Sequence, residues 1–134
     1  MQDQNSNIKS QNQNQSAKAD FKYRAFNLSI AVIRFLGSFP KDQTFHIISG
    51  QLIRSITSIG ANIVEAKSSS SKKEFLNYFQ IALKSSNETK YWLAMLKELY
   101  PQKKNEIDTF IREVQEISKI IGSSVLTMKG KRSL

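Results

Sequence analysis

Gln51-Leu-Ile-Arg-Ser-Ile-Thr-Ser-Ile-Gly-Ala-Asn-Ile-Val-Glu-Ala66 lies near the middle of a 134-residue chain and decides how the rest is read. Its apolar residues continue a series that begins upstream. Phe45, Ile48, Leu52, Ile56, Ile59 and Ile63 recur at spacings of 3, 4, 4, 3 and 4. Side chains three and four positions apart share one face of an α-helix, whereas a half-buried strand alternates at every second residue. The spacing therefore predicts an amphipathic helix over about 42–67, with Asp42 as its N-cap. Gly50 and Gly60 fall inside it, each at a cost of about 1 kcal/mol relative to alanine. Close packing is expected at both.

Downstream, the serine run 68–71 ends this helix, and Ser71 with Glu74 forms a serine–x–x–glutamate capping box that opens the next. That third helix is expected to reach about Tyr100, with Pro101 just past its end. Its inner face carries Phe75, Tyr78, Ala82, Ser85 or Ser86, Thr89, Leu93 and Leu96. The small residues in its middle should let a neighbouring helix come close. A fourth helix over about Asn105–Thr127 has Ile107, Phe110, Val114, Ile117 and Ile121 as its stripe, and Gly130 marks a frayed end. Upstream, Phe21, Ala25, Leu28, Val32 and Phe35 or Leu36 define a first helix over about Asp20–Gly37, closed by Gly37 and Pro40. Short connections between long amphipathic helices force antiparallel neighbours. The expected fold is an all-α, antiparallel up-down-up-down four-helix bundle over residues 20–128. The first 16 residues hold nine Gln or Asn and cannot bury enough apolar surface to offset their ordering entropy. Residues 1–19 are expected to be a disordered tail, and 129–134 a basic C-terminal tail.

Composition excludes much chemistry. The absence of cysteine removes disulfides, thiol nucleophiles and cysteine zinc sites. His46 is the single histidine, so no site can use two. Glu106, Asp108, Glu113 and Glu116 share no face with histidines, which removes the di-metal carboxylate pattern of some bundles. No serine is marked as activated by a base. We expect no catalytic residue, no metal and no cofactor, hence no enzyme. The longest uncharged run is 11 residues, where a membrane-spanning helix needs about 20 apolar ones. No basic start followed by an apolar run resembles a secretory signal, and a cytoplasmic protein is expected.

The formal net charge is +9. Lys9 and Lys18 cancel Asp3 and Asp20, so the excess lies on residues 21–134. Part of it is clustered: Lys67, Lys72 and Lys73 around one predicted turn, and Lys129, Lys131 and Arg132 at the C-terminus. Ammonium groups beside the free N–H groups of a helix start suit phosphate, and these six residues are the candidate nucleic-acid contacts. The bland reading of the same residues is a solvated linker and a solubility device. Tyr91, Trp92 and Tyr100 are either base-stacking or packing residues. On the second helix Gln51, Arg54, Ser58, Asn62 and Glu65 fall on one stripe. That stripe is either a solvated face or a polar seam against a neighbouring helix or subunit. In the seam reading, Arg54 would pair with a carboxylate such as Glu88 or Glu65. Ile30, Ile33, Ile53, Tyr91 and Ile120 lie outside the main stripes, an apolar excess that points to self-association.

The quoted stretch, continued by residues 68–75 and by Ile81-Ala-Leu-Lys-Ser-Ser-Asn-Glu-Thr-Lys-Tyr-Trp-Leu93, resembles the signature of the bacterial four-helix-bundle protein family. Some members of that family are encoded in intervening sequences of large-subunit ribosomal RNA genes. A related accessory protein works with the reverse transcriptase of diversity-generating retroelements. The resemblance implies a bundle that assembles as a ring, commonly a pentamer, with a basic surface directed at nucleic acid, and no enzymatic activity. Two functions follow as expectations. One is a non-catalytic homo-oligomer binding RNA or DNA; the other is a scaffold for a protein partner with no nucleic-acid role.

Overall fold

Several helix ends in the computed structural model, which describes residues 21–130, coincide with a local signal that stops backbone hydrogen bonding from continuing. Helix α1 spans Phe21–Leu36, α2 Gln43–Lys67, α3 Lys72–Leu99 and α4 Lys104–Met128. A 3-10 turn, Pro101–Lys103, joins the last two. Asp42 caps α2, its carboxylate accepting from the Phe45 N–H at 2.8 Å. Ser71 caps α3 in the same way, its hydroxyl accepting from the Glu74 N–H at 3.1 Å. The predicted capping box is only half formed, because the Glu74 carboxylate takes the Ser70 hydroxyl at 3.3 Å. At the far end of α4, Gly130 adopts a φ of 75°, a left-handed conformation that lets its N–H return to the Thr127 carbonyl at 3.0 Å.

The four helices form the predicted antiparallel bundle, and no strand occurs among the described residues. α3 is the central element, packed against both α2 and α4, while α1 lies mainly on α2 and touches α4. The core follows the sequence stripes closely. Leu52, Ile56, Ile59 and Ile63 of α2 meet Leu93 and Leu96 of α3 and Ile107, Val114, Ile117 and Ile121 of α4, all with 1% exposure or less. On α3 the buried aromatic is Phe79, with Phe75 and Tyr78 half-buried beside it.

Small hydroxyl residues fill the centre of the α2–α3–α4 contact. Ser86 and Thr89 are fully buried, and Ser55 and Ser85 nearly so. Their hydroxyls bond across the helices: Ser85 donates to Ser58 Oγ at 2.8 Å, and Ser118 donates to Ser86 Oγ at 2.6 Å. Thr89 lies 3.0 Å from Ser55 Oγ and shares its proton with the Ser85 carbonyl. No buried side-chain polar atom among the described residues lacks a partner. Satisfied buried polar groups of this kind set interhelical register while adding only about 1 kcal/mol each.

The two helical glycines differ. A Cβ on Gly60 would stand 3.5 Å from the Ala25 Cβ on α1, so α1 and α2 do approach closely there. Gly50 faces open space with nothing within 4 Å, and the close packing expected of it is absent.

At the end where α1 leads into α2, aromatic rings close the bundle. Phe39 stacks on Phe45 at 5.1 Å between centroids and meets Tyr100 edge-on at 4.9 Å. Burial there pushes the Tyr100 hydroxyl above its ordinary pKa, and nearby Asp42 adds to the effect.

Candidate nucleic-acid interface

The connection between α2 and α3 is four serines long, and its brevity brings the last residue of α2, Lys67, beside the first two of α3, Lys72 and Lys73. An antiparallel bundle returns the C-terminus of α4 to the same end. Met128 lines one shallow depression together with Ser69, Ser70, Ser71, Lys72 and Phe75, which places Lys129 next to the turn. α1 begins at this end as well, and its Lys22 lies in a groove with Val64 and Glu65 of α2. The structure thus gathers Lys22, Lys67, Lys72, Lys73 and Lys129 at one end. Lys131 and Arg132 lie outside the described residues, as does the Gln/Asn-rich segment at the N-terminus.

At the opposite end Lys41 and Lys103 have no ion pair among the described residues, but two other lysines there are paired. Lys97 and Lys104 both bind Asp108, at 3.0 and 3.4 Å, and their ammonium groups hold its carboxyl below the ordinary carboxylate range. Among the described residues, none of the five lysines at the turn end takes part in an ion pair. Lys67 instead extends over the Phe75 ring, 5.9 Å from its centroid, and Lys22 over Tyr23 at 5.1 Å. Among the described residues Glu65 and Glu74 are acidic residues near this end, and Glu74 is held by Ser70. The arrangement is a set of uncommitted ammonium groups around the free N–H groups of the α3 start, which can hold phosphate oxygens and offers no nucleophile or base. Reading the charge clusters along the chain misses Lys22, since 45 positions separate it from Lys67.

The polar stripe of α2 divides in two. Ser58 and Asn62 are half-buried and belong to the α2–α3 seam: Asn62 Nδ2 donates to Ser58 Oγ at 3.0 Å, and Ser85 donates to the same oxygen. Gln51, Arg54 and Glu65, with Glu88 on α3, are exposed. Arg54 pairs with neither carboxylate within the chain. Of the three candidate stacking aromatics, Trp92 and Tyr100 are half-buried against the core, and Tyr91 stands exposed with its ring edge-on to Trp92. His46 is exposed in the first turn of α2. Among the described residues no group of acidic or histidine side chains could hold a metal ion. No helix among them is long and apolar enough to cross a membrane.

Comparison with known proteins agrees with this architecture. A crystal structure of a protein of unknown function from the S23 ribosomal protein family of Bacteroides thetaiotaomicron superposes with a TM-score of 0.72 at 31% sequence identity, covering 78% of this chain and 97% of that one. No curated protein matches the sequence. Residues 17–123 match the family described as 23S rRNA-intervening sequence protein. That match takes in all of α1, α2 and α3 and most of α4, and neither description names a catalytic activity. The chain belongs to the 23S rRNA-intervening sequence protein family.

Proposed function

We propose that this protein is a non-catalytic homo-oligomer, a ring of five by its family resemblance, that binds nucleic acid, RNA before DNA, through phosphate contacts at the α2–α3 turn end of the bundle. The observation that carries the reading is the grouping of Lys22, Lys67, Lys72, Lys73 and Lys129 at one end, none of them held by a carboxylate of the described residues. Ammonium groups without an internal partner stay available to an external anion, and a ring would repeat the cluster once per subunit. The test is a salt titration of binding to a generic single-stranded RNA. Counterion release requires the logarithm of affinity to fall linearly with the logarithm of salt, with a slope of about −0.7 for each phosphate neutralised. Binding that is absent at low salt, or indifferent to salt, removes the reading.

A protein-scaffold role is the second reading, and one observation favours it. The outer side of α1 and α2 presents an apolar groove of roughly 450 Å³ that no part of the described chain fills.

A further inference from the structure

The outer face of α1 exposes Tyr23, Phe26 and Ile33, and the sequence repeat explains why. Besides its buried stripe of Phe21, Ala25, Leu28 and Val32, α1 carries a second stripe, Tyr23, Phe26, Ile30 and Ile33, at spacings of 3, 4 and 3. Phe26 is 60% exposed and Tyr23 53%. Phe26, Ile30 and Ile33 of this stripe, with Ala61 and Val64 of α2, wall the 450 Å³ groove. A helix that is apolar on two sides is normally covered on both.

An exposed face of mixed character lies on α3, with two apolar residues, Ile81 and Tyr91, at its ends and two charged ones between them. Ile81, Lys84, Glu88 and Tyr91 are exposed and share one face, again at spacings of 3, 4 and 3, and Tyr91 is 59% exposed. We propose that α1 of one copy, with the groove beside it, is covered head to tail by this α3 face of the next copy. The inference rests on the homo-oligomer reading above and names the two surfaces that make the contact.

Interhelical contacts give the relative heights of the two faces. Gly60 lies against Ala25, and Ser29 Oγ donates to the Ile56 carbonyl at 3.2 Å, which levels α1 with α2. Ser58 is level with Ser85, and Ser55 with Thr89. Followed across α2, Tyr23, Phe26, Ile30 and Ile33 stand at the heights of Ile81, Lys84, Glu88 and Tyr91. α1 and α3 also run in the same direction. A closed ring has no rise along its axis, so bundles standing side by side in the same sense bring residues of equal height together. The two 3-4-3 stripes then meet in register, and the alkyl stem of Lys84 covers apolar surface beside Phe26.

Glu88 supplies the opposite charge in this pairing. α1 contains no acidic residue, and of its cations only Arg24 is committed, to Glu113 on α4. Arg34 lies one turn along α1 from Ile30, at whose height the exposed Glu88 of the next copy would stand. A two-fold contact made by α1 alone would cover Phe26 but leave Tyr91 in water; the head-to-tail contact covers both.

The chain has no cysteine, so introduced thiols report contacts without background. Ile33→Cys and Tyr91→Cys are made separately, checked for helicity by circular dichroism, and oxidised alone and mixed. Disulfides require Cα atoms about 4.4–6.8 Å apart. The expected result is a covalent dimer in the mixture and little in either variant alone. Phe26→Lys, at an exposed position, should then reduce the assembly to the 15.3 kDa monomer with helicity retained. An oligomer that crosslinks through Ile33→Cys alone, or gives no mixed disulfide, overturns the inference while leaving self-association standing. Sedimentation of the unmodified protein as a monomer at micromolar concentration overturns both.

Discussion

Lys97 of α3 donates to Oδ1 of Asp108 on α4 at 3.0 Å, and Lys104 brings a second ammonium to Oδ2 at 3.4 Å. One carboxylate thus pairs with two lysines at the end of the bundle remote from the candidate phosphate contacts.

The pairing has a pH signature. The hydrogen bond from Lys97 is the main cause that lowers the Asp108 pKa below 3.8, its ordinary value, with Lys104 assisting. A carboxyl depressed on folding contributes stability that is present above its unfolded pKa and is lost as pH falls through the folded one. Asp108→Asn should therefore melt below the parent protein at neutral pH, with the two melting temperatures converging as pH drops below 3.8. A gap that is constant across the acid range would show that Asp108 carries no linked protonation.

Gly50 sits inside α2 with open space where a side chain would begin. Gly50→Ala should raise stability by about 1 kcal/mol from helix propensity and the lower entropy of the unfolded chain. That corresponds to an increase of about 4 °C in Tm for a domain of this size. Thermal melts of the two proteins at one concentration check it, and a decrease would reveal a contact at Gly50 in the assembled protein.

Ser86 is fully buried, accepts from Ser118 and donates to the Leu83 carbonyl at 2.7 Å. Ser86→Ala should cost about 1 kcal/mol as those hydrogen bonds disappear. Ser86→Leu should cost about 3 kcal/mol, because the added volume forces α3 and α4 apart. Urea unfolding gives both values, and a leucine variant no less stable than the alanine one would mean that these helices do not need the small side chain.

Replacing Lys67, Lys72 and Lys73 together by glutamine removes the lysines of the α2–α3 turn without touching the core. RNA affinity should fall, and its salt slope should flatten by about 0.7 for each phosphate that is no longer neutralised. Adding Lys22→Gln should weaken binding further, since that residue lies at the same end. Unchanged affinity and slope would reduce the turn to a solvated linker. Circular dichroism should be the same for all variants, and sedimentation the same for the triple glutamine variant.

What local sequence determined was the helices themselves. Spacings of three and four, the Asp42 and Ser71 caps and the Pro101 stop place the helix ends within a residue or two of those observed, because these signals act over a single turn. The same rules identify most core residues, although on α3 they give Phe75 and Tyr78 where Phe79 is the buried aromatic. Interhelical register was outside their reach. It decides that Asp108 claims Lys97, that Arg54 does not find Glu88, and that Lys22 and Lys129 join the lysines of the turn. Register follows from side chains far apart in the chain, such as Ser58 with Ser85 and Ala25 with Gly60, meeting at particular heights. A long ammonium or guanidinium group reaches only what packing brings within a few ångströms of it. The helices were legible in the sequence because their causes are local, and the charged end and the second stripe of α1 acquired neighbours only when those helices docked.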